Sequence, residues 1–144
     1  MREILFRGKV VQDCNYKGKF IHGDFAYGNC IRPIENVGDN INKIYRLYDE
    51  LAFVEVDPET LGQFTGLLDK NGKKIFEGDI LSLKDEVGKK GIVTVGFEDG
   101  GFIVFKGLAW RYIGAYLNIE NELEIVGNIH DNGELYREIK GVRK

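Results

Sequence analysis

Two glycine turns constrain this chain more than any other feature. Asn71-Gly72 and Asp99-Gly100 each sit between short apolar segments. Asn-Gly or Asp-Gly between such segments is a strong short-range signal for a β-hairpin. Asn71-Gly72 therefore predicts a type I′ turn, with positive φ at both central residues, joining 64–70 to 73–76. Glu98-Asp99-Gly100-Gly101 predicts a second hairpin between 92–97 and 102–105. These turns belong to a wider bias: glycine supplies 19 of 144 residues, against two prolines. Neither residue forms a run, which excludes collagen and low-complexity linkers. Many tight turns in a chain of ordinary hydrophobicity imply many short strands.

The rest of the chain reads the same way. Residues 3–11 and 20–28 form a hairpin around the polar turn 13–19. Residues 36–42 read as a loop, and 44–48 and 51–56 as strands bent at Asp49-Glu50. Asp57-Pro58-Glu59-Thr60 predicts one helical turn, with Asp57 as cap, Pro58 at its first position and Gly62 as its stop. It would form a corner between two sheets or two halves of a barrel. Glu77-Gly78-Asp79 redirects the chain into strand 80–83, and 84–90 is a charged loop. Val93, Val95 and Phe97 share a strand face. Residues 108–117 are ambiguous: Trp110, Ile113 and Leu117 have helical spacing, which Gly114 interrupts. Leu123 to Val126 returns to strand. Asn132 through Lys140 predicts a terminal helix with Asn132 as cap and Leu135, Tyr136 and Ile139 as its apolar stripe. The expected fold is mainly β: a small barrel or packed short antiparallel sheets, with one helical turn and a short C-terminal helix. One domain, 1–144, is expected, with halves 1–62 and 63–144 sharing a core.

Chemistry is harder to find. Lys and Arg total 20, Asp and Glu 23, a formal charge of -3. Nucleic-acid binders usually carry a basic excess, and this chain has none. No apolar run is long enough for a membrane helix, and Ile4-Leu5-Phe6 is too short for a signal peptide, so a cytoplasmic protein is expected. Cys14 and Cys30 read as free thiols. Joining them to His22 and His130 as a zinc site lacks any local ligand pair, so no metal is expected, and no cofactor motif is present. The glycine turns have strands on both sides, whereas a phosphate cradle needs a following helix.

Three functional readings remain. A hydrolase would use Glu77, Asp79 and His130, although Ser82, Cys14 and Thr65 lack a nucleophile's context. A small SH3-like or OB-like barrel over 64–106 would bind nucleic acid through Lys73, Lys74, Phe76, Lys89, Lys90 and Phe102, since interleaved cations and aromatics track and stack a single strand. Glu77, Asp79, Asp85, Glu86, Glu98 and Asp99 dilute that field. The favoured reading is a non-enzymatic protein that binds another protein or itself, because a strand-rich fold must cover its edges.

Longer motifs carry a resemblance. Met1-Arg2-Glu3-Ile4-Leu5-Phe6-Arg7-Gly8-Lys9 opens the chain. Val56-Asp57-Pro58-Glu59-Thr60-Leu61-Gly62-Gln63-Phe64-Thr65-Gly66-Leu67 runs almost directly into Asp69-Lys70-Asn71-Gly72-Lys73-Lys74-Ile75-Phe76-Glu77-Gly78-Asp79-Ile80. Phe97-Glu98-Asp99-Gly100-Gly101-Phe102 and Leu123-Glu124-Ile125-Val126-Gly127-Asn128-Ile129-His130-Asp131-Asn132 follow. Together they resemble the YopX-like proteins of bacteriophages and prophages over nearly the whole chain, weakly through 30–52 and 106–121. Two positions depart. Asn132-Gly133-Glu134-Leu135 has glycine where such proteins often have proline, and Phe20-Ile21-His22-Gly23 stands where they often have Trp-Val-Tyr-Gly. The resemblance implies an all-β accessory protein of phage origin in a bacterial cytoplasm. It implies no catalytic residue, cofactor or substrate.

Overall fold

The computed structural model describes residues 3–11, 17–28, 30–33, 54–84, 90–106, 109–113 and 123–140. The chain divides into two units, Met1–Phe64 and Thr65–Lys144. The expected loop 36–42, strand 44–48, and Cys14 and Lys89 lie outside the described residues.

In the first unit, β1 (Phe6–Lys9) pairs antiparallel with β2 (Phe20–Tyr27), Arg7 opposite His22 and Lys9 opposite Phe20. This is the expected first hairpin. β3 (Cys30–Pro33), β4 (Val54–Glu55) and the start of β5 (Gly62–Leu68) complete the order β4-β3-β2-β1-β5. Val10, Ile21, Ile31, Val54 and Val56 form the buried cluster, with Phe6, Ala26 and Leu61 against it. The helical turn is a 3-10 turn, Pro58–Thr60, capped as expected: Asp57 Oδ1 accepts from the Glu59 amide at 3.1 Å. Buried Thr60 fastens it to β1, donating to the Asp57 carbonyl at 2.7 Å and accepting from the Lys9 amide at 2.9 Å. Gly62 does not stop this turn. Leu61 is already extended (φ -69, ψ 123), and Gly62 opens β5.

In the second unit, the latter half of β5 and β6 (Lys74–Phe76) make the Asn71-Gly72 hairpin. A five-stranded antiparallel sheet follows, in the order β10-β9-β8-β7-β11. Its strands are β7 (Asp79–Lys84), β8 (Lys90–Glu98), β9 (Gly101–Lys106), β10 (Ala109–Tyr112) and β11 (Glu124–Asn128). Ile75, Leu81, Leu83, Val95, Val104, Ile113 and Leu123 form its buried cluster. Burying Ile75, Leu81 and Leu123 completely contributes about 1.5–3 kcal/mol each. Helix α1 (Gly133–Lys140) closes the chain and contacts β8.

The ambiguous segment 108–117 is strand over Ala109–Tyr112, and Ile113 lies just past that strand in a 3-10 conformation. Trp110 lies opposite Phe105 and is exposed, while Ile113 is buried, so the two do not share a helical stripe. Leu135 and Tyr136 of α1 are half-buried, as a stripe requires. Asn132 precedes the helix but does not cap it through its side chain. Its Oδ1 accepts instead from the Asn128 amide at 3.0 Å.

Candidate functional site

The two glycine turns differ in geometry. At Asp99-Gly100 both residues have positive φ, 51 and 81, and Glu98 faces Gly101 across the pair. That is a two-residue type I′ turn. At Asn71-Gly72 only Gly72 is left-handed (φ 81), so the expected type I′ turn is not formed. The Gly72 amide donates to the Asp69 carbonyl, and the Asp69 amide to the Lys73 carbonyl, making a three-residue loop of type I turn plus bulge. Asp69 explains the change. Its Oδ1 accepts from the amides of Asn71 at 2.8 Å and Lys73 at 3.0 Å.

Asp69 also reaches far along the chain. Its Oδ2 accepts from the Ile125 amide at 3.0 Å, while the Lys70 amide donates to the Leu123 carbonyl at 2.8 Å. Burial pushes the Asp69 carboxyl up, but the amides of Ile125, Lys73 and Asn71, with the Lys73 charge, outweigh burial and hold it below the ordinary aspartate value. The exposed Lys70–Glu124 pair at 3.2 Å adds little. Asp69 was not among the sequence candidates, because its long-range partner Ile125 leaves no local signal.

A second clasp joins the Glu77-Gly78-Asp79 turn to the segment after β11. Asp79 faces Asn128, and the Ile129 amide donates to the Gly78 carbonyl at 2.8 Å. The backbone thus brings the His130 segment alongside Glu77 and Asp79. Asp79 is nevertheless buried, 2% exposed, with its Oδ2 accepting from the Phe76 amide at 2.8 Å. Gly78, at φ 92, breaks the extended run that would have aligned Glu77 with Asp79. His130 sits half-buried in a turn organised by Asn128, whose Oδ1 accepts from the amides of His130 and Asp131, both at 2.9 Å. Asn132 completes that turn by folding over Gly127, where an added Cβ would lie 2.5 Å from Asn132 Oδ1. Among the described residues no three His, Cys, Asp or Glu are grouped to hold a metal ion.

The nucleic-acid candidates separate. Lys73 and Lys74 are exposed beside the hairpin loop. Phe76 is a correction: at 2% exposure it offers no ring face for a base, because Ile75 and Phe76 are both buried at this strand end. Phe102 packs against the core and meets Phe97 edge-to-face at 5.1 Å. Lys90 lies in β8. In the first unit Arg7 and Lys9 lie over Phe20, 4.7 and 5.5 Å from its ring centre, and His22 faces Arg7.

Sequence reasoning groups Phe105, Trp110 and Tyr112 only loosely with the lysines and aromatics of the second half, and does not unite them on one face of β9 and β10. Trp110 and Tyr112 are 43% and 45% exposed and meet edge-to-face at 5.3 Å. They alternate onto the side of the sheet that holds Phe105 and Ile103, their cross-strand partners. Tyr112 lies over Gly101, where an added Cβ would be 2.8 Å from the ring, and its hydroxyl donates to the Asp99 carbonyl at 3.1 Å. The type I′ turn therefore carries Glu98 and Asp99 to the end of an aromatic strip.

Both units are strand-rich, with the Asn71-Gly72 turn held by the Asp69 carboxylate and the His130 turn by the Asn128 side chain. The YopX protein family model matches residues 12–137, and the chain belongs to that family. Among solved structures, "Crystal structure of protein EF1440 from Enterococcus faecalis" is similar at 22% identity and a TM-score of 0.49, covering 94% of this chain and 99% of that one. Comparison with curated proteins finds no match. Among the described residues no helix is long and apolar enough to cross a membrane.

Proposed function

We propose that this YopX-family chain is a phage- or prophage-type accessory protein that acts in a bacterial cytoplasm by binding another protein or itself, without chemistry of its own. One observation carries this reading. Two large aromatic side chains of β10, Trp110 and Tyr112, stand side by side at 5.3 Å on one face of the second unit's sheet, exposed at 43% and 45%. Clustered exposed aromatics of this kind mark interaction surfaces more often than isolated apolar residues do. The fate of the carboxylates supports it: Asp69 and Asp79 are engaged by backbone amides of their own turns. The hydrolase reading needs Asp79 to reach a substrate, and it is buried.

The test is affinity capture from phage-infected or prophage-induced cells, with light scattering on the purified protein. The proposal predicts a stoichiometric protein partner or a concentration-dependent dimer. Recovery of nucleic acid alone, with a monomer at every concentration, would overturn it.

A further inference from the structure

We propose that the Trp110–Tyr112 face binds a cationic segment of a partner protein, an extended stretch bearing arginine or lysine. The inference rests on the protein-binding reading above and specifies its surface and partner.

Three observations converge on this face. First, the two rings stand edge-to-face at 5.3 Å and are nearly half exposed, so each presents π surface to solvent. A guanidinium or ammonium over such a ring is attracted by its quadrupole, most strongly over tryptophan. Second, the platform is built in. Tyr112 covers Gly101, and its hydroxyl is tied to the Asp99 carbonyl at 3.1 Å, so little side-chain freedom is left to lose on binding. Third, the strip ends in negative charge. Glu98 faces Gly101, directly beside the Tyr112 ring, and Asp99 is the next residue. Both are exposed. Neither carboxylate has a hydrogen-bond or ion-pair partner among the described residues.

Aromatic rings bordered by exposed carboxylates complement cations. A nucleic acid would meet repulsion from Glu98 and Asp99 before its bases reached Trp110. A wholly apolar segment would leave those carboxylates partly desolvated and unpaired.

Trp110 is the sole tryptophan, so its emission reports on this face directly. The full chain is titrated with an acetylated, amidated peptide of alternating arginine and threonine. The same peptide with glutamate for arginine, and an oligothymidylate, serve as controls. The proposal predicts a saturable change in Trp110 emission with the arginine peptide alone, weakening as salt is raised. Tyr112→Leu should weaken binding about three- to fivefold, and Glu98→Gln with Asp99→Asn about threefold. The carboxylate pair keeps the test meaningful should Tyr112→Leu misfold, because Asn tolerates the left-handed backbone at Asp99. Equal or tighter binding of the glutamate peptide or the oligothymidylate, no emission change, or unaltered binding by the folded carboxylate variant would overturn it. A natural protein partner captured as well by Trp110→Ser as by the parent would refute this surface and leave the protein-binding reading standing. Capture of no protein would refute that reading itself.

Discussion

The turns at Asn71-Gly72 and Asp99-Gly100 carry nearly the same dipeptide and fold differently. Asp99-Gly100 follows the local rule: two left-handed residues close β8 onto β9. Asn71-Gly72 does not, because the carboxylate of Asp69 gathers the Asn71 and Lys73 amides and leaves only Gly72 left-handed. The Asp99-Gly100 turn is decided within its own residues. The Asn71-Gly72 turn is decided by a side chain that also holds β11 through Ile125. The difference separates two uses of acidic residues here. Asp69 is structural, whereas Glu98 and Asp99 stand at the edge of the exposed aromatic face.

Asp69→Ala should have the largest effect of any single substitution at the two turns. Three backbone donors lose a charged acceptor, and stability should fall by about 3 kcal/mol, read as a lower urea midpoint. A loss no larger than that of Asp99→Gly would show that the two turns do not differ as described.

Acid acts on the same carboxylate. The folded Asp69 carboxyl lies below its unfolded value, so its contribution is present above the unfolded pKa and is lost as pH falls through the folded one. The stability gap between the parent and Asp69→Asn should therefore be constant above about pH 5 and close below about pH 4. Urea titrations across that range check it, and a gap that widens on acidification would have the wrong sign.

Gly127→Ala should cost about 1–2 kcal/mol, because the new methyl displaces the Asn132 side chain from the Asn128 amide. Gly72→Ala and Gly100→Ala should each cost about 1 kcal/mol, since both require positive φ. Asp99→Gly should lie within about 0.5 kcal/mol of the parent, as its backbone strain is relieved and its carboxylate holds no described donor. Thermal melts of these four variants rank them.

What was legible in the sequence was local. The Asp57-Pro58 turn, the β1–β2 hairpin and the Asp99-Gly100 hairpin each depend on residues near one another in the chain, and each is found. What was not legible depends on distant partners. The Asn71-Gly72 turn type rests on Asp69. Phe76 reads as an available ring until both it and Ile75 prove buried, at 2% and 0% exposure, which alternation alone would not give. Trp110 and Ile113 have helical spacing, but pairing of Trp110 with Phe105 makes Ala109–Tyr112 a strand. Asn132 has a cap's position and turns to Asn128 instead. The aromatic face went unseen for the same reason, since only cross-strand register unites Gly101, Tyr112 and the Asp99 turn.

Partner capture, measured beside melting curves for Asp69→Asn and Trp110→Ser, separates a residue that holds the fold from a face that binds. Asp69→Asn should melt earlier yet capture partner in proportion to its folded fraction, while Trp110→Ser should melt near the parent and capture little. Retained capture by Trp110→Ser, with capture abolished in folded Asp69→Asn, would reverse those roles.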